Sequence, residues 1–252
     1  MRFPKALYPA TTMTLAMILA ATVIASPPRR KSAPQTPSPT ETLAAAAARG
    51  KQSMAALRNY TYYAELTIQT VSQSDTITGK YYRFSQISFD SEGARQEKVL
   101  ENTSTLPIGV YIGTNAANNL TRVYQFVITP ETLSQYELTY VGRERIDELD
   151  TLVFDVKPKI KMPDADKSDD RYLKGRVWID ERDLCVVKVA GQALPEQSSH
   201  RTPKFETYFQ NYDKYWFPAS TSADDSIRVG RYFTRVIVSV RFTGYKKVSA
   251  KQ

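Results

Sequence analysis

Residues 175–191 read GRVWIDERDLCVVKVAG. Val177 and Ile179 alternate with Arg176, Trp178 and Asp180, the pattern of a strand with one buried face. The polar run Glu181–Asp183 interrupts it, and alternation returns through Val187 and Val189. Two strands joined by so few residues must run antiparallel, because a parallel crossover needs a dozen or more. This hairpin predicts the class of the whole chain.

Working outward, the same period of two recurs. It marks strands over 60–71 (YTYYAELTIQTV), 76–90, 136–146, 151–157, 172–180, 184–193, 205–212, 215–222 and 233–247. The connections at Asp147–Asp150, Glu181–Asp183 and Asp213–Lys214 are short and polar, as hairpins require. The expected architecture is α+β: a single, strongly curved antiparallel sheet, a half-barrel of about 9–11 strands, with helices covering its concave face. In sequence order it reads as one long meander.

Two helices are expected. The first starts near Thr40 or Thr42 as cap, with Glu41 at the positive end of its dipole and a run of alanines behind it. Leu43, Ala47, Gly50, Met54 and Leu57 recur along one stripe, and Gly50 permits close approach to another element. The second is a short insertion capped by Thr114 or Asn115, with Leu120, Val123 and Tyr124 on one face. Strand character is expected to resume near Val127.

Residues 1–25 combine Arg2 and Lys5 with an uncharged apolar stretch from Ala10 to Ala25, and Val23 and Ala25 sit at the −3 and −1 positions before Ser26. That is the three-part pattern of a cleaved secretory signal peptide. The alternative is an uncleaved anchor, for which the stretch falls short of the ~20 apolar residues of a membrane span. Loss of Arg2 and Lys5 lowers the formal net charge from +8 to +6. Residues 26–40 (SPPRRKSAPQTPSPT) hold five Pro and almost nothing apolar, so they read as a linker. Residues 41–250 form the single domain.

The composition argues against catalysis. One Cys excludes a disulfide scaffold and Cys-based zinc sites, and one His leaves little for acid–base work at neutral pH. His200 lies in the polar loop QSSHRTPK, and no Ser stands in a nucleophile-elbow context. The run Asp164, Asp166, Asp169, Asp170 fails calcium-loop spacing, since position six is Asp169 rather than Gly and position twelve is Gly175 rather than Glu. Asp224 and Asp225 are strand neighbours and point to opposite faces. Cys185 reads as a buried, inert thiol. The positive charge is dispersed, and an exported protein has little occasion to meet nucleic acid, so no nucleic-acid partner and no cofactor are expected. Sixteen Tyr, most on or beside strands, suit either cross-strand packing or a pocket for a long apolar ligand.

The stretches NYTYYAEL, YVGRERID, TLVFDVKP, YLKGRVWIDERDLCVVKVAGQA and FETYFQNYDKYWFPASTSADD, taken with the signal peptide and leading helix, resemble the LolA/LolB-like periplasmic lipoprotein-carrier superfamily over residues 41–248. The resemblance implies a half-open barrel closed by helices, whose concave side binds acyl chains. It also implies a periplasmic protein, with outer-membrane lipoprotein sorting as its setting. The family's lid-closing positions and its membrane-inserting loop have no identifiable match here, so no functional residue carries over. The same fold serves envelope-stress sensors.

The expected function is therefore a non-enzymatic protein that shelters a lipid or lipoprotein acyl chain. The expected lining is Leu66, Ile68, Leu152, Phe154, Val156, Val177, Ile179, Val187 and Val189. The alternative is an envelope-stress sensor or assembly module whose partner is an envelope membrane protein.

Overall fold

The structure is a computed structural model that describes residues 38–108, 110, 112, 114–122, 126–165, 167–168, 170–196, 203–229 and 232–248. The chain divides into Met1–Thr36 and Pro37–Gln252, and only the second unit is described. The expected signal peptide and most of the linker lie outside the described residues. So do Asp166, Asp169, His200, Val123 and Tyr124.

Helix α1 spans Pro39–Leu57. It begins inside the segment expected to be linker, because Ser38 rather than Thr40 or Thr42 closes its first turn. The Ser38 Oγ accepts from the Glu41 backbone N–H at 3.3 Å, and the Glu41 carboxylate accepts from the Ser38 N–H at 2.8 Å. With Pro39 at the first helical position, this is a complete capping box. Ala46, Ala47, Ala56, Leu57 and Thr42 are its buried positions, while Leu43 and Met54 are half-buried.

Ten strands follow in one antiparallel sheet. They are β1 (Tyr60–Val71), β2 (Ile77–Phe89), β3 (Arg95–Ser104), β4 (Tyr136–Ile146), β5 (Leu149–Pro158), β6 (Tyr172–Asp180), β7 (Val186–Leu194), β8 (Phe205–Tyr212), β9 (Tyr215–Val229) and β10 (Tyr232–Lys247). Their spatial order is β3-β2-β1-β10-β9-β8-β7-β6-β5-β4. The simple meander is thus corrected at one point. β10 returns to pair with β1, where the Val248 N–H donates to the Asn59 carbonyl at 2.8 Å. β3 and β4 become the two edges, separated in sequence by a long connection carrying α2 (Thr114–Leu120) and α3 (Pro130–Leu133). α3 replaces the strand expected near Val127.

β3 was not expected, because it has no apolar row: nearly all its positions are exposed. Edge strands bury little, so alternation fades there.

The hairpin turns form where expected but with shifted bounds: β5 already begins at Leu149, and Leu184 and Cys185 belong to the turn before β7 rather than to the strand. Asp147 and Asp213 adopt positive φ of 49° and 56°, a conformation Asp tolerates. At the β6–β7 turn the Asp180 carboxylate accepts from the Arg182 and Asp183 N–H groups at 3.2 and 2.7 Å. That bond pair is why the chain reverses after Trp-Ile-Asp.

One row of side chains crosses the sheet. Leu66 pairs with Val240, Val240 with Thr221, and Thr221 with Thr207. Val189, Val177, Phe154 and Tyr140 continue it to β4. The two central threonines share a 2.8 Å hydrogen bond, so their polarity is satisfied between themselves. On this face, Ala56 and Leu57 of α1 join a core drawn from β1, β2, β9 and β10, and Ala46 and Ala47 join a second drawn from β4 to β7.

Candidate functional site

The space beneath α1 is the candidate site. Its walls come from Gly50, Met54 and Leu57 of α1, Phe126 and Val127 of the loop before α3, and Val186, Phe209, Phe217 and Pro218 of the sheet. Arg49, Ser53, Cys185 and Trp216 complete the rim. Its volume is about 40 Å³. Its lining is mainly apolar, with Arg49, Ser53 and Cys185 as polar contributors.

The expectation that Gly50 admits a neighbour holds. A Cβ on Gly50 would collide with the Ile128 carbonyl oxygen and come within 3.0 Å of Val127 Cγ1. The loop therefore lies directly on the helix. From it, Phe126 stacks on Phe205 at 4.7 Å between centroids. Phe205 and Phe209 pack against both cores and so bridge them.

Eight of the nine expected lining residues share the helix-covered face. Leu66 and Ile68 pack in the core with Leu57, and Leu152, Phe154, Val156, Val177, Ile179 and Val189 pack in the core with Ala46 and Ala47. None of the nine is more than 4% exposed, so the face is filled by the chain's own side chains. Val187 is the ninth, and it packs instead with Val153 and Trp178 on the opposite face. A register shift between Trp178 and Ile179 explains it: Val186 pairs with Ile179 and Lys188 with Trp178, so Val187 is an extra residue that breaks strict alternation. None of the nine borders the small cavity itself. The residues that do, among them Phe126, Phe209 and Phe217, could have been found only as aromatics beside the expected strands.

Several of the tyrosines are core. Tyr60, Tyr212, Tyr245 and Phe217 form one aromatic group with centroids 5.1–6.3 Å apart. The Tyr60 hydroxyl donates to Asp213 at 2.7 Å, which, with burial, pushes its pKa up to about 12. The Tyr245 hydroxyl donates to the Pro218 carbonyl at 2.7 Å, and burial holds it far above the usual phenol range. Burial likewise pushes the Cys185 thiol up to about 11, so it stays neutral and a poor nucleophile.

At the β3 edge, charge is buried. Glu97 lies between Arg83 and Arg95, with N···O distances of 2.9 and 2.8 Å and all three side chains less than a tenth exposed. Arg83 also donates to the side-chain Oδ1 of Asn118 on α2 at 2.9 Å, and Arg95 to Thr121 Oγ1 at 3.1 Å. The triad thereby fastens α2 to β2 and β3.

No protein-family model matches the chain, and no curated protein does. Among solved structures it is similar to a LolA superfamily protein from Nitrosomonas europaea, at 11% identity over 81% of this chain and 95% of that one, with a TM-score of 0.35. It is similar to a DUF1329 family protein from Desulfovibrio piger, at 9% identity over 81% and 95%, with a TM-score of 0.37. It is also similar to the MucA/MucB complex of Pseudomonas aeruginosa, at 10% identity over 79% and 98%, with a TM-score of 0.24. With TM-scores this low, the site's own geometry has to carry the functional argument.

Proposed function

We propose that this chain is an exported, non-enzymatic binding protein of the periplasm, in which α1 covers the concave side of a half-barrel and shelters a lipid or lipoprotein acyl chain. One observation supports the reading: α1 meets the apolar face of the sheet largely through Ala46, Ala47 and Ala56, and a small cavity bordered by Gly50, Met54, Leu57, Phe126, Phe209 and Phe217 lies beneath it. An alanine buries little area, so lifting α1 sacrifices far less burial than parting two sheets would, at ~25 cal/mol per Å² of apolar surface. The cavity of about 40 Å³ is then the closed form of a larger site. Ligand pockets typically need roughly 300–1,000 Å³, which movement of α1 and its loop must supply.

The test is native mass spectrometry of the purified chain, together with uptake of a fluorescent fatty acid. Bound lipid, and loss of probe uptake in Met54→Trp with the fold retained, is the expected result. An empty protein that takes up no probe would sink the proposal.

A second reading has its own support. The nine expected lining residues are buried by packing against the chain's own side chains. A filled face suits an envelope-stress sensor or assembly module that works through an envelope membrane protein. Capture of one membrane protein, with no lipid carried along, would decide for it.

A further inference from the structure

The opposite face of the sheet, away from α1, holds an open recess of about 640 Å³ bordered by Lys157, Lys174, Lys204, Gly175, Gly191 and Gln192. It adjoins a second of about 700 Å³, and the two share Asp155, Gly175, Gly191 and Lys204. Strand register explains how the three lysines meet. Val156 pairs with Gly175, so Lys157 and Lys174 stand next in line across β5 and β6. Lys174 pairs with Gln192, and Phe205 with Gly191, which sets Lys204 beside Gln192. The lysines and Gln192 therefore form one row across β5, β6, β7 and the residue that precedes β8.

The charge balance of the recess is one-sided. Asp155, which borders it, pairs with Arg176 at 2.9 Å, and in the adjoining recess Glu206 pairs with Lys188 at 3.1 Å and Asp224 with Arg235 at 2.7 Å. Lys188 is further held between the rings of Trp178 and Tyr208, at 4.8 and 4.9 Å from their centroids. Glu137 stands opposite Lys157 across β4, and Glu196 accepts from Gln192. Like charges set opposite each other in a sheet are destabilising. Among the described residues none of these three lysines forms an ion pair, and all three border the recess.

We propose that this recess binds a phosphate group through Lys157, Lys174 and Lys204. Lysine serves phosphate as a mobile point charge with three donors, and the row offers such charges from β5, β6 and the residue before β8 to one ligand. Gly175 and Gly191 let β6 and β7 approach closely beneath the row, since a Cβ on either would strike the backbone of the neighbouring strand. The phosphate can belong to a lipid headgroup or to a free soluble molecule. The inference does not depend on the acyl-chain reading, since it concerns the other face.

The experiment is calorimetric titration of the full chain at low salt, with inorganic phosphate and, separately, with dihexanoylphosphatidic acid below its micelle concentration. Binding is expected, and it should weaken by about tenfold or more in Lys157→Gln/Lys174→Gln/Lys204→Gln. Lys98→Gln/Lys246→Gln/Lys247→Gln removes equal charge elsewhere and should bind as the parent does. Circular dichroism checks that each variant is folded, and single Lys174→Gln replaces the triple variant if that one is not. Tighter binding of the phospholipid assigns the site to a headgroup, and equal binding assigns it to a free phosphate. Absence of binding by both probes, or equal weakening in both triple variants, overturns the proposal.

Discussion

Gly50 of α1 and Ile128 of the loop before α3 meet so closely that no Cβ fits between them. A glycine in mid-helix normally costs about 1 kcal/mol relative to alanine. Here it lets Ile128 pack with Ala46 and Ala47 over the strands below.

Gly50→Ala should therefore lower stability despite its better helix propensity. Overpacking costs typically 1–3 kcal/mol, against roughly 1 kcal/mol recovered from propensity. A net loss of about 1 kcal/mol should appear as a lower midpoint in thermal melts followed by circular dichroism. A rise would mean that the loop does not hold the helix.

Phe154→Ala should be costlier. Phe154 is 1% exposed and packs in the core that Ala46 and Ala47 cover. Such truncations cost about 3–5 kcal/mol. On the acyl-chain proposal the vacated space also raises the amount of fluorescent fatty acid taken up, and unchanged uptake would speak against that proposal.

Glu97→Gln removes the carboxylate that two buried arginines share. Breaking a buried ion pair from one side costs about 3–5 kcal/mol, because it leaves buried charge uncompensated. Urea denaturation should show the loss. Charge-free replacement of all three side chains by apolar residues of similar size should recover part of it.

Alkaline titration followed by tyrosinate absorbance should resolve Tyr60 from exposed tyrosines. Its folded pKa, about 12, lies above the ordinary value of 10.0. A group raised in this way stabilises the fold fully below pH 10, and that stabilisation is lost as pH rises from 10 towards 12. Tyr60→Phe should flatten this part of the stability profile. An unchanged profile would mean that the bond to Asp213 does not form in solution.

Much of the sheet was legible because its signals are local. The hairpin at 172–194 needs only alternation on either side of Asp180, whose carboxylate ties down the turn. β3 was not legible, since its one notable burial is the charged pair Arg95 and Glu97, held by Arg83 from the next strand. Val187 could not be assigned to its face, because a single register shift at Ile179 reverses which side a residue occupies. The lysine recess was equally hidden: Lys157, Lys174 and Lys204 look dispersed along the chain until three hairpins set them in one row.

By itself the amino-acid order determined that these segments extend, that neighbours in sequence run antiparallel, and that an alanine-rich helix precedes them. Those outcomes depend on side-chain period and turn chemistry within a dozen residues. Only the tertiary structure decided that β10 closes onto β1, that α1 and Ile128 share a glycine-sized gap, and that the covered face is already filled. Each of these depends on contacts between residues far apart in the chain, where packing volume and register, rather than local preference, select the outcome.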